Sequence, residues 1–91
     1  MRRIFNICDN SNVSNTFLTL QNLREDIIGE LDAIIQYNNH LMQTNDSNVQ
    51  ENIKDIILEE EIHVGQLFGL LFRLSPETKV QFMKGMDESE K

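Results

Sequence analysis

Thiols are almost absent from this sequence: Cys8 is the single cysteine among 91 residues. One thiol closes no disulfide within the chain and builds no thiolate zinc site. Basic charge is scarce as well. Against 15 Asp and Glu stand 8 Lys and Arg, a net charge of −7, and this balance argues against nucleic acid, whose phosphates need a basic face. Long apolar runs are missing too. The longest stretch, Val64 to Leu74, is broken by Gln66 and Arg73 and falls short of the roughly 20 residues that a bilayer demands. "MRRIFNICDN" starts basic but turns polar before an apolar segment forms, so no secretory signal is read. The expectation is a soluble cytoplasmic protein, with no membrane and no nucleic-acid partner, in which the sequons at Asn12 and Asn45 are incidental. There is no P-loop, no G-x-G-x-x-G, and no serine or cysteine nucleophile beside a histidine.

What is present is helical periodicity. Residues 1–15 read as a flexible N-terminal segment, because "DNSNVSNT" is polar, short-chained and aperiodic. From Thr16 onward Leu20, Leu23, Ile27, Glu30, Ile34, Tyr37 and Leu41 recur at steps of three and four, the signature of one helix face. Ile28, Leu31 and Ile35 form a second stripe beside it, which predicts a wide buried face. This first helix is expected over about 16–42. "QTNDSN" breaks the pattern, and Ser47 with Gln50 has capping-box spacing for a second helix over 47–74. Its stripe is Val49, Ile53, Ile56, Glu60, His63, Leu67, Leu70 and Leu74, widened by Ile57, Val64 and Leu71. Ser75 as N-cap and Pro76 at the first helical position predict a third helix over 76–85. Gly85 reads as its stop, before an acidic tail at 87–91. Gly65 and Gly69 read as a close helix crossing, and His40 as a surface residue suited to the helix C-terminus. The fold class is all-α: an antiparallel two-helix hairpin plus a short C-terminal helix. A hairpin with so much apolar surface has to oligomerise to cover it.

Three polar groups interrupt the stripes. Glu30 falls at the centre of the first, between Ile27 and Ile34, while Glu60 and His63 fall in the second, between Ile56 and Leu67. Glu59 and Glu61 fall off the line and read as surface charges. A carboxylate held against apolar neighbours either neutralises itself or meets a cation. Glu60 and His63 form Glu-x-x-His, one helical turn on one face. Carboxylate-bridged di-iron and di-manganese bundles use two single-Glu helices and two Glu-x-x-His helices. One chain supplies half of that set, and a two-fold dimer completes it with four carboxylates and two imidazoles around a metal pair. Glu-x-x-His alone recurs by chance in many helices; Glu30 at the stripe centre and a chain too short to close its core favour the metal. Tyr37, two turns past Glu30 on the same face, stands near enough to hydrogen-bond a ligand, although a tyrosine at a core edge reads nearly as well.

At these residues a family comes into view. "GELDAIIQYNNH" followed by "LEEEIHVGQLFGLLFRLSPE" resembles the encapsulated ferritins, the two-helix ferritin-like proteins associated with encapsulin nanocompartments; the resemblance covers about residues 20–80. It implies a ferritin-like hairpin whose dimer forms a di-iron ferroxidase centre, with dimers assembling into a decameric ring. Glu30, Glu60 and His63 match the family's metal ligands, and Tyr37 matches its tyrosine near the centre. The resemblance further implies a protein held inside an encapsulin shell, which stores the oxidised iron that an open ring cannot. Two departures stand out. Asp32 matches one acid of the family's route for incoming iron, but Gly29 replaces the other and Gln36 stands where a tryptophan is expected. "MDESEK" is not an apolar shell-targeting peptide, so a trimmed chain, a domain of a shell fusion and a free-standing protein all fit.

The expected activity is ferroxidase: Fe(II) is oxidised by dioxygen and leaves as Fe(III). Glu60 bridges two irons, Glu30 chelates one on each side and His63 completes each sphere, with zinc, cobalt or manganese able to substitute. Two rival readings are a metal-clamped structural dimer and a helical interaction module in which Glu60 and His63 pair with each other.

Overall fold

The structure, a computed structural model, describes residues 15–91. Cys8, the sequon at Asn12 and all of the expected N-terminal segment except Asn15 lie outside the described residues. Three helices follow one another: α1 (Asn15–Gln43), α2 (Ser47–Leu74) and α3 (Pro76–Glu88). No strand occurs among the described residues. None of the helices is long and apolar enough to cross a membrane.

The turn between α1 and α2 explains why they lie antiparallel. Only residues 44–46 connect them, a length that folds one helix back on the other. Asp46, extended at φ −78° and ψ 116°, is the N-cap of α2, and its carboxylate accepts from the backbone N–H of Asn48 and Val49 at 2.9 and 3.0 Å. Ser47 was the expected cap, and it lies inside the helix. A carboxylate is the stronger choice at this end because it also faces the positive pole of the helix dipole. The expected capping-box partner, Gln50, instead donates its side-chain N–H to the Thr44 carbonyl at 2.8 Å, tying the turn from the other side.

Ser75 serves two helices. Its N–H donates to the Leu71 carbonyl at 2.9 Å, ending α2, and its hydroxyl accepts from the Thr78 N–H at 3.4 Å, opening α3. Pro76 cannot donate to α2 and costs nothing at the first position of α3. α3 then runs through Gly85, the expected stop, to Glu88. A glycine inside an exposed helix costs only about 1 kcal/mol, too little to end one by itself.

The core is small and sits at one end. Leu23 and Ile27 of α1 pack on Leu71 of α2, which is 1 % exposed, with Leu20, Leu67, Phe68, Phe72 and Leu74 around them. Phe82 of α3 joins Phe68 and Phe72, with ring centroids 5.4 to 5.8 Å apart. Such tilted and edge-on aromatic pairs contribute about 0.5–1.5 kcal/mol each beyond their buried area, and they hold α3 against α2. The second stripe of α1 does not join this core. Ile28 and Ile35 are 65 % and 59 % exposed, and Leu31 is exposed beside them. One neighbouring helix covers about a third of a helix surface, so a single hairpin leaves the second stripe in solvent. Gly65 and Gly69 also face outward, with nothing within 4 Å of a side chain built on either, so among the described residues no helix crosses there. The shape follows: the radius of gyration is 17.4 Å, against about 12 Å for a compact chain of this length.

Candidate metal centre

Half-way along the hairpin, packing gives way to polar side chains. Position 30 follows Ile27 by three residues, so Glu30 emerges on the α1 edge that turns toward α2. Glu60 and His63 stand one turn apart on the facing edge of α2. Their ligand atoms, one from each residue, all lie within 4.8 Å of one another. His63 Nδ1 is 3.3 Å from Glu60 Oε1 and 3.7 Å from Glu30 Oε1. Ligands held at about 2.1 Å from a shared ion stand roughly 3 to 4 Å apart, so the three atoms suit a single divalent cation with small adjustment.

Exposure grades across the cluster: side chains are 18 % exposed for Glu60, 30 % for Glu30 and 50 % for His63. The electrostatics agree with crowding. The Glu30 carboxyl is raised above its usual range, first by a hydrogen bond to Glu60, then by partial burial and the Glu60 charge, with His63 opposing. Glu60 is lowered, first because it accepts that bond from Glu30; His63 acts in the same direction and partial burial against it. Two carboxyls this close hinder each other's ionisation, and a proton held between them relieves the crowding. A divalent cation would take the place of that proton and could be held by both carboxylates and the imidazole.

The cluster opens onto a shallow groove lined by Glu30, His63, Gln66, Leu67, Leu70 and Arg73, with Gly69 beside them. Gln66, Leu70 and Arg73 were not expected at the site. Their steps of three and four from His63 carry the signal, since the α2 edge that bears His63 continues along the same line. Tyr37 is half-buried two turns along α1 from Glu30 and makes no hydrogen bond among the described residues. Asp32 stands outside the cluster: two residues past Glu30, it points to another side of α1, where it accepts from Gln36 Nε2 at 3.4 Å. Glu59 and Glu61 are exposed and also stand outside the cluster.

No family model matches the chain. A curated relative, the ferritin-like-encapsulin shell fusion protein of Pyrococcus furiosus, is 39 % identical over 66 residues, which is 72 % of this chain and 19 % of the relative. The chain thus spans about a fifth of that protein's length. Among solved structures, the crystal structure of the encapsulated ferritin domain from Pyrococcus furiosus superposes with a TM-score of 0.79 at 31 % identity, covering 97 % of this chain and 83 % of that one. The chain belongs to the encapsulated ferritin family. Its all-α hairpin with a short third helix is therefore a ferritin-like fold, and its acidic cluster lies in a fold suited to binding metal.

Proposed function

We propose that the chain is a ferroxidase that works as a two-fold dimer, each copy bringing Glu30, Glu60 and His63 to one di-iron centre. The observation that carries this reading is the convergence of those three side chains, within 4.8 Å, on an open edge of a hairpin whose family is encapsulated ferritin. Half-exposed ligands around half a coordination sphere call for a second copy. A two-fold axis perpendicular to the helices brings two such edges together and gives the four carboxylates and two imidazoles of a carboxylate-bridged pair.

Iron is the substrate. Glu60, least exposed of the three, bridges the two ions; Glu30 chelates one on each side, and His63 turns Nδ1 toward both carboxylates to complete each sphere. Oxygen-rich ligation favours the ferric product. Two ferrous ions lose one electron each, and dioxygen takes both, with two protons, to leave as hydrogen peroxide. The proton shared by Glu30 and Glu60 leaves when metal arrives. Tyr37 acts near the centre, and Asp32 marks a route for incoming iron. Dimers close into a decameric ring through the remaining apolar faces, Ile28, Leu31 and Ile35 among them. The named association of a relative with an encapsulin shell supports a place for this chain inside such a nanocompartment, which would hold the ferric product. Zinc, cobalt or manganese can occupy the same ligands.

A second reading has one observation in its favour: Glu60 and His63 lie 3.3 Å apart and can pair without metal, as in a purely helical interaction module. Metal analysis with a measurement of size, followed by oxygen consumption on adding Fe(II), separates the readings. Two metals per dimer with rapid oxygen uptake supports the ferroxidase; metal without uptake leaves a structural clamp; no metal leaves the module. Isolated protein should oxidise iron and shed the product, and co-expression with an encapsulin shell should raise soluble iron only if the two are linked. Soluble storage of thousands of iron atoms by the isolated protein would overturn the open-ring reading.

A further inference from the structure

Arg73 lines the same groove as Glu30 and His63. It makes no ion pair and no side-chain hydrogen bond among the described residues, and the same holds for Asp55, exposed nearer the start of α2. No lysine or arginine forms an ion pair among the described residues, and Arg73 is the one that lines the groove beside the carboxylate cluster. Asp55 and Arg73 also share a line on α2. Their separation of 18 residues is five whole helical turns, about 27 Å. The midpoint of that line is level with Val64, whose own side chain lies on the opposite side of α2, and within one residue of His63 along the helix.

Resting on the dimeric reading above, we propose that Arg73 of each copy forms an ion pair with Asp55 of a second copy, once on each side of the metal centre. The two reciprocal pairs set the register in which the α2 helices meet. A two-fold axis between the two metal half-sites passes α2 at the level of residues 60 to 63. Rotation about it runs the two α2 helices antiparallel and sets position 73 of one copy opposite about 47 to 53 of the other. An arginine side chain leans toward the N-terminus of its own helix, here toward the axis, which brings its head to Asp55. Both residues lie on the outer flank of the seam, where charges choose partner and register in paired helices. The planar guanidinium matches a carboxylate with two parallel hydrogen bonds. Gly69 removes bulk between them.

The symmetry supplies a sharp test. Arg73→Glu and Asp55→Arg each place two repulsive contacts in a homodimer, yet a mixed dimer of the two variants regains both attractive pairs. Each Co(II)-loaded variant should dimerise about ten-fold or more weakly than wild type at low salt, and the loss should shrink at 0.5 M salt. Mixed one to one, with one partner size-tagged, they should give well over the statistical half of heterodimer by native mass spectrometry. Random mixing, in dimers that still bind Co(II), overturns the ion pair and leaves the shared metal centre standing. An equal heterodimer excess with Glu51→Arg in place of Asp55→Arg reassigns the partner and also overturns the proposal. Wild type that stays monomeric with Co(II) bound overturns the dimeric centre, and the pair with it.

Discussion

The two halves of the hairpin solve opposite problems. Where α3 folds back, the chain covers itself: Leu23, Ile27 and Leu71 are buried, three phenylalanines interlock, and Ser75 caps two helices at once. Half-way along, the same two helices carry Glu30, Glu60 and His63 where that packing would continue, and Ile28, Leu31 and Ile35 face solvent. One region is closed within the chain; the other stays open. The difference shows where stability and chemistry are separated in a small protein. A core of a few residues holds the helices together, and the carboxylate cluster beside it stays open to solvent, as the proposed dimeric metal centre requires.

Changes in the two regions should therefore separate. Replacing Glu30, Glu60 or His63 by Ala should lower bound metal and abolish rapid ferrous oxidation, a loss of about a hundred-fold or more by stopped-flow absorbance, for want of a ligand or bridge. Glu59→Ala and Glu61→Ala should leave both nearly unchanged; if Glu61→Ala proved as damaging as Glu60→Ala, the assignment of helix faces would fail. At the finished end the loss is of folding. Leu71→Ala should cost about 2–5 kcal/mol in urea unfolding, whereas Ile28→Ala, already exposed, should cost little in the single chain and act on assembly.

Metal should couple the open region to association. Four carboxylates brought together without cations repel, and two divalent ions reverse the sign of that term. Chelated protein at neutral pH should sediment as smaller species, and Co(II) or Zn(II) should restore the larger one. Glu30→Ala and Glu60→Ala should assemble without metal, since each removes two of the four repelling charges. Identical sedimentation of wild type and both variants, with and without chelator, would show that apolar contacts alone hold the interface.

The pH dependence follows from the shared proton. Glu30, raised in the folded chain, is stabilised below the usual Glu range, and that stabilisation is lost as pH rises through its raised value. Glu60, lowered, contributes in the opposite sense: its share is present above the usual range and is lost as pH falls through its lowered value. Metal needs both carboxylates ionised, so Co(II) affinity should climb as pH passes upward through the raised Glu30 range. Titration of wild type against Glu30→Gln by isothermal calorimetry checks this; an unchanged profile in the variant refutes the shared proton. The smallest effect concerns the turn that joins the two regions. Asp46→Ala should cost about 1 kcal/mol as the loss of a helix cap, and Ser47→Ala, inside the helix, only a few tenths.

Periodicity and chemistry made much of this legible from the residues alone. Steps of three and four announced two long helices, and charged groups in mid-stripe marked Glu30, Glu60 and His63 as a set, because burial of a carboxylate demands a reason that pattern can register. What pattern could not supply is which apolar stripe meets which neighbour. Two stripes lie side by side on α1, and only packing against α2 decided that Leu23 and Ile27 go inward while Ile28 and Ile35 stay out. Cap choice between adjacent Asp46 and Ser47 turned on backbone angles, and the outward glycines on a crossing that is not made among the described residues. The groove that adds Gln66, Leu70 and Arg73 to the site exists only once the two helices lie together. Local sequence determines which face of a helix is apolar and where charge interrupts it. The surface that comes to cover that face belongs to the tertiary structure, since burial depends on a neighbour that no single helix encodes.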